Sequence, residues 1–207
     1  FNILDDALWH NVQAQIEADV FCGVVAWPPA SRFRHTIPPR RSAQFPFGLK
    51  GDNAKLAGLS IGVLEHLKKG NHVVFQCADA CSRMVKRGHP AILIMPDPGV
   101  EEPAMEWLDS VKGLKDSGCR VVRTLGCAFG TPSRHPTAIL YGNCGFDHDV
   151  VSCTHTPTHH HDISLRATWR RDLRVCAAFT RKVASAIAVG ARRAFLLRPP
   201  SGATAAS

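Results

Sequence analysis

The stretch AILIMP at residues 91–96 is the segment on which the fold prediction rests. It contains five consecutive apolar residues followed by a proline, a length typical of a strand rather than a helix. A strand that is apolar on both faces belongs inside a sheet whose two sides are covered by helices. A helical pattern precedes it over Asn71–Arg87, and Gly88 stands where a helix C-cap is expected. We therefore predict a buried strand between two helical layers.

The same alternation extends in both directions from this strand. The run VFCGVVA at residues 20–26 predicts an earlier strand in the middle of a parallel sheet, and two later strands are predicted over Arg120–Leu125 and Thr137–Tyr141. Helices are predicted over Ile3–Ala18, Ala54–Lys69, Asn71–Arg87, Glu101–Ser117 and about Arg170–Val189, with Gly70 separating the second from the third. The order indicates an α/β domain over residues 1–195 with a three-layer, Rossmann-like sheet. We expect a disordered tail over residues 196–207.

Composition excludes several classes of protein. With 45% hydrophobic and 20% charged residues, the chain is neither a coiled coil nor a disordered tail. No apolar run approaches the roughly 18 residues that span a bilayer, so no membrane partner is expected. The eight cysteines are irregularly spaced and predict reduced thiols of an intracellular protein, in the nucleus or cytoplasm. Because the chain begins with Phe1 and shows no leader, we expect it to be part of a longer polypeptide.

Basic residues are concentrated near the end of the chain. The formal net charge is +8, and the segment between Arg166 and Arg198 holds nine basic residues against one acid, Asp172. On a helix, Arg170, Arg174 and Arg181 fall within about 40° of one another, opposite the apolar side. Two interpretations stay open here, a solvated helix face and a surface that contacts nucleic-acid phosphates.

Four segments occur in an order that points to a known family. They are VVAWPPASRF at 24–33, ILIMP at 92–96, GCAFGTPSRHPT at 126–137 and CTH at 153–155 with the histidines that follow. Over roughly residues 18–190, this arrangement resembles the cytosine-C5 DNA methyltransferases, and more closely a methylase-like domain of retroelement-type polyproteins. The resemblance implies a methyltransferase sheet that is incomplete at its N-terminal side, where the Gly-rich loop for the methyl donor would lie.

The resemblance also indicates which catalytic groups are missing. Methylation at cytosine C5 needs a thiolate that adds to C6 and a carboxylate that holds the base at N3. The family's cysteine position is occupied by Ala30, and its Glu-Asn pair by Ile94 and Met95. Since the methyl-donor loop is not in this sequence, we expect no cofactor, and S-adenosylmethionine only if an upstream half is present. The sequence therefore predicts a degenerate, inactive domain.

Two further groups of residues are candidates for binding. Arg134 corresponds to an arginine on the cleft side of the family and could hold a phosphate or a carboxylate, or form a structural salt bridge. The loop over residues 144–162 combines Cys and His at short spacing, which is ligand chemistry for zinc. A set of Cys144, Cys153, His155 and His159 is the weak candidate for a metal site, although its spacing matches no standard finger. The simpler interpretation is a polar surface loop.

Three functional hypotheses follow from the sequence. The first is an inactive methylase-like domain that faces nucleic acid or serves as a scaffold within a polyprotein. The second is an active S-adenosylmethionine-dependent DNA methyltransferase whose missing motifs lie upstream. The third is a basic module that binds nucleic acid without sequence preference.

Overall fold

The computed structural model describes residues 5–28, 45, 47–48, 58–96, 108–129, 136–146 and 177–197. The helices are α1 (Asp6–Glu17), α2 (Ile61–Lys86), α3 (Asp109–Asp116) and α4 (Ala177–Leu197). The strands are β1 (Val24–Ala26), β2 (Ala91–Pro96), β3 (Arg120–Leu125) and β4 (Pro136–Gly142), and a short 3-10 turn follows β3 over Gly126–Phe129. No helix in these ranges combines the length and hydrophobicity that crossing a bilayer requires.

The four strands form one mixed sheet in the order β1-β2-β4-β3. β1 is parallel to β2, whereas β4 is antiparallel to both β2 and β3. The described part of the chain is thus α/β, compatible at this coarse level with a Rossmann-like fold. The expectation of a parallel sheet was wrong for β4. Residues 126–135, which connect β3 to β4, are fewer than the dozen or so that a parallel crossover needs, so β4 returns antiparallel.

The sheet separates two hydrophobic cores. Alternate residues of β2 point to opposite faces, so Leu93 and Met95 lie in one core and Ile92 and Ile94 in the other. The first core is covered by α1, α2 and α3, and the second by α4, whose Phe179 is 1% exposed. Helices therefore cover both faces, which gives the three layers that the sequence predicted.

β1 is shorter and more peripheral than expected. The predicted strand over residues 20–26 is reduced to Val24–Ala26, at one end of the described sheet, and Val25 is 46% exposed. The reason lies in α1, because the backbone amide of Val20 still donates to the carbonyl of Gln15 in the turn that ends this helix. The strand begins only where the amide of Val24 donates to the carbonyl of Pro90.

α2 is one continuous helix, which corrects the prediction of two helices separated by Gly70. It begins after the N-cap Ser60 and passes through a buried Gly70 without interruption. A glycine inside a helix costs only about 1 kcal/mol, and the burial of the surrounding apolar face outweighs that cost. The predicted C-terminal end is confirmed, since Gly88 follows the C-cap in a left-handed conformation with φ of 80°.

The other helix boundaries also differ from the prediction. α3 begins at Asp109, because the backbone of Leu108 before it is extended, so the predicted helix is not continuous through Leu108; its earlier part, residues 101–107, lies outside the described residues. α4 continues past Val189 to Leu197, so residues 196 and 197 belong to a helix and not to the predicted tail. Both ends of a helix depend on local capping and on what the helix packs against, which periodicity alone does not reveal.

Ion pairs fix α1 against the C-terminal end of α2. Arg83 contacts Glu17 at 2.7 Å, and Arg87 contacts Asp19 at 2.7 Å. His89, which is only 4% exposed, places its Nε2 3.0 Å from the same Asp19 carboxylate. Asp19 reaches both partners because its backbone is left-handed, with φ of 56°. The helical layer is thereby held in position over the sheet.

Candidate nucleic-acid interface and the adjoining sheet edge

The two positions that the resemblance matches to the family's Glu-Asn pair are deeply buried in β2. Ile94 is 1% exposed and packs in the second core, whereas Met95 is 0% exposed and packs in the first. Neither side chain could hold the polar edge of a base. Pro96 follows them and pairs with Thr137 in β4. Ala30, the position of the family's cysteine, lies outside the described residues, as does Arg134.

Aromatic side chains occupy the edge of the sheet where β1, β2 and β3 end. Trp27 follows β1 directly and contacts Phe179 of α4 with ring centroids 5.7 Å apart. Phe129, on the 3-10 turn after β3, contacts the same Phe179 at 5.0 Å in an edge-to-face arrangement. Ligands of open α/β sheets bind at this edge. In this chain, an aromatic cluster stands there, and α4 supplies its central ring.

The polar groups at this edge are hydroxyls. Thr124 and Thr137 are partners across β3 and β4, and both are buried. Within the described residues, Oγ1 of Thr124 has no hydrogen-bond partner. Cys127 is the one titratable side chain among residues 26–28, 95–96, 124–129 and 136–137, and it is 7% exposed. These segments offer neither the carboxylate nor the accessible thiol that cytosine methylation requires.

The outer side of α4 is cationic. Arg181, Arg192 and Arg193 are exposed, and Lys182 is half-buried, whereas the 21 residues of this helix contain no acid. None of the four cations forms an ion pair with another described residue. A neighbouring side of the helix packs on the sheet through Phe179, Val183, Ala186 and Gly190. Among the described residues, no carboxylate neutralises the charge of α4.

Of the three arginines that the sequence predicts on one side of the last helix, the structure describes only one. Arg181 is exposed on α4, whereas Arg170 and Arg174 lie outside the described residues. Arg192 and Arg193 belong to the predicted basic region but lie beyond the predicted end of the helix at Val189. Phe179 was also missed as a core residue, although its spacing of four residues from Val183 is the signal that could have identified it.

Cys144 is the one candidate metal ligand that the structure describes. Its Sγ lies 3.3 Å from the carbonyl oxygen of Ala91 and 3.1 Å from that of Gly142, and its single S–H donates to one of them at a time. Burial raises the pKa of Cys144 to about 12. No three His, Cys, Asp or Glu side chains are grouped to hold a metal within the ranges described. Since Cys153, His155 and His159 fall outside those ranges, the zinc set stays a prediction.

Most of the described thiols are chemically unreactive because they are buried. Burial raises the pKa of Cys77 to about 11 and that of Cys81 well above its ordinary value. Cys119 and Cys127 are also buried, and all six described cysteines are free thiols. Cys22 was expected to be buried on a strand, and this was wrong, because it is exposed in the turn before β1. A thiol that stays protonated at neutral pH is a poor nucleophile.

Comparison of the chain with models of known protein families, with curated proteins and with solved structures finds no match. The resemblance to cytosine-C5 methyltransferases therefore depends on the motifs of the sequence alone.

Proposed function

We propose that this chain is a catalytically inactive, methyltransferase-like module that contacts nucleic acid through the cationic side of α4, within a larger intracellular polypeptide. The observation that carries the proposal is the charge of this helix. Four cations and no acid project from an element whose other side is packed on the sheet. Such a surface favours a polyanion, because each phosphate it neutralises releases condensed counterions.

Inactivity is supported by residue types and by burial. Ala30 has no nucleophilic atom, and Ile94 and Met95 place buried apolar groups where the family has a carboxylate and an amide. S-adenosylmethionine is the cofactor that the resemblance implies, and a Rossmann-like site holds its ribose with an acidic side chain. The described segments of the sheet edge contain no acid that could take this role, and Asp97, which follows Pro96 in the sequence, lies outside the described residues.

The test measures the affinity of the chain for a labelled DNA duplex at several salt concentrations. We expect the R192A/R193A variant to lose affinity about tenfold at about 100 mM salt and the log–log salt slope to fall by nearly two. The matched control is K68A/K69A, which also removes two adjacent exposed cations, but from α2. Equal losses in the two variants would show that binding follows net charge and not α4.

A second measurement addresses catalysis in the same preparation. Transfer of labelled methyl groups from S-adenosylmethionine to the duplex should not exceed background. Transfer above background would support the alternative of an active methyltransferase and would overturn the proposal of an inactive module.

A further inference from the structure

The cations of α4 are arranged as two pairs on one side of the helix. At 100° per residue, Arg181 and Arg192 lie about 20° apart around the axis, and Lys182 and Arg193 lie about 20° apart as well. The two pairs therefore share one sector of the surface. Phe179, Val183, Ala186 and Gly190 occupy the neighbouring, buried sector, whose centre lies about 110° from that of the cations. The result is a stripe with a cation pair near each end, which we call the α4 cation stripe.

The distance between the pairs limits which partner fits. Eleven residues separate Arg181 from Arg192, which corresponds to about 16 Å along the helix axis. The major groove of B-form DNA is about 12 Å wide between its two phosphate backbones, and the minor groove about 6 Å. When the size of the phosphate groups is added to the groove width, the spacing of about 16 Å between the cation pairs matches the distance between the two backbones that border a major groove. The spacing of the cation pairs is larger than the distance between the backbones that border the minor groove.

The exposed side chains between the two cation pairs are small and uncharged. Ser185, Ala188 and Val189 are the exposed residues nearest the middle of the stripe. Short side chains allow the helix backbone to come close to the groove. Proteins that prefer single strands place aromatic rings among their cations for bases to stack on, and no aromatic residue stands between the two pairs.

From this geometry we infer that α4 lies across the major groove of a B-form DNA duplex, with Arg181–Lys182 on one phosphate backbone and Arg192–Arg193 on the other. The inference rests on the proposed function and specifies its partner and its mode of contact. Only phosphates are contacted, so binding has no sequence preference.

The first test asks whether the stripe or the total charge determines affinity. Ser185 and Ala184 are adjacent exposed residues of α4, but Ser185 lies within the stripe, whereas Ala184 lies about 60° beyond its edge at Arg181. We expect S185R to tighten duplex binding severalfold and to steepen the salt slope by about one, and A184R to leave both nearly unchanged. Equal effects of the two variants would overturn the inference.

The second test compares the two pairs and the type of nucleic acid. R181A/K182A and R192A/R193A should each weaken duplex binding about tenfold at about 100 mM salt, with the helix content unchanged by circular dichroism. Binding to a single strand, or to an A-form RNA duplex with its narrow major groove, should be at least tenfold weaker than to DNA duplex. Equal affinity for these nucleic acids would overturn the inference but not the proposed function. Absence of binding to any nucleic acid would overturn both.

Discussion

At the scale of single residues, the burial of the polar side chain of Gln76 is the feature that the local sequence pattern explains least. It lies in α2 with 0% exposure, and within the described residues neither its amide nitrogen nor its amide oxygen has a hydrogen-bond partner. An amide buried without a partner costs about 1 to 3 kcal/mol. By contrast, Gln13 of α1 donates to Asp79 at 2.9 Å.

This contrast predicts opposite effects of the same substitution. Gln76→Leu removes an unsatisfied group and should raise the free energy of unfolding by about 1 kcal/mol or more. Gln13→Leu, the matched control, removes a hydrogen bond to Asp79 and should lower it or leave it unchanged. Urea denaturation of both variants measures the effect. A loss of stability in Gln76→Leu would mean that the amide has a partner, such as a buried water molecule.

At the scale of elements, the packing of α4 on the sheet depends on Gly190. A Cβ at this position would overlap the carbonyl oxygen of Asn143 and approach Cβ of Pro90 at 2.6 Å. Asn143 cannot move away easily, because its side-chain amide donates to the carbonyls of Val85 at 2.9 Å and His89 at 3.2 Å. The close approach of α4 therefore requires glycine.

Two glycine-to-alanine substitutions in helices should therefore change the free energy of unfolding in opposite directions. Gly113→Ala in α3 meets no atom within 4 Å and should raise the free energy of unfolding by about 0.5 to 1 kcal/mol, the usual helix preference for alanine. Gly190→Ala gains the same preference but should lose about 2 kcal/mol or more overall, because the core is overpacked. Thermal and urea unfolding check both values. An increase in stability for Gly190→Ala would contradict the packing described for α4.

At the scale of the whole molecule, buried thiols make stability depend on alkaline pH. Burial raises the pKa of Cys77 to about 11 and that of Cys144 to about 12, whereas an unfolded cysteine titrates near about 8.5. Above that value the unfolded chain loses protons that the folded chain keeps. The free energy of unfolding therefore falls as the pH rises, and each such thiol contributes up to about 1.4 kcal/mol per pH unit.

We therefore expect stability to be independent of these thiols below about pH 8 and to decrease from about pH 8.5 to 11. Cys77→Ala should make this decrease shallower, whatever its effect at neutral pH. Cys22→Ser, at an exposed position, should leave the slope unchanged. Urea unfolding at several pH values measures the slopes. An unchanged slope in Cys77→Ala would exclude this thiol as a source of the effect.

Local patterns determined much of the secondary structure. β2, β3 and β4 lie where their apolar runs predict, because a short buried strand is a local property of five to seven residues. The C-terminal end of α2 was predictable for the same reason, since Gly88 is a local stop signal. β1 and the continuity of α2 were not predictable, because they depend on contacts with Gln15, Pro90 and the core.

For the candidate site, the sequence by itself determined which chemical groups are present. At the positions that the resemblance matches, Ala30, Ile94 and Met95 supply neither a nucleophile nor a base-holding carboxylate, whatever the fold, and the excess of cations near the end of the chain is likewise a matter of composition. Only the tertiary structure decided where such groups point. Ile94 faces α4, Met95 faces α2, and Arg192 and Arg193 align with Arg181 and Lys182, because helix length and sheet pairing are fixed by packing between residues far apart in the chain.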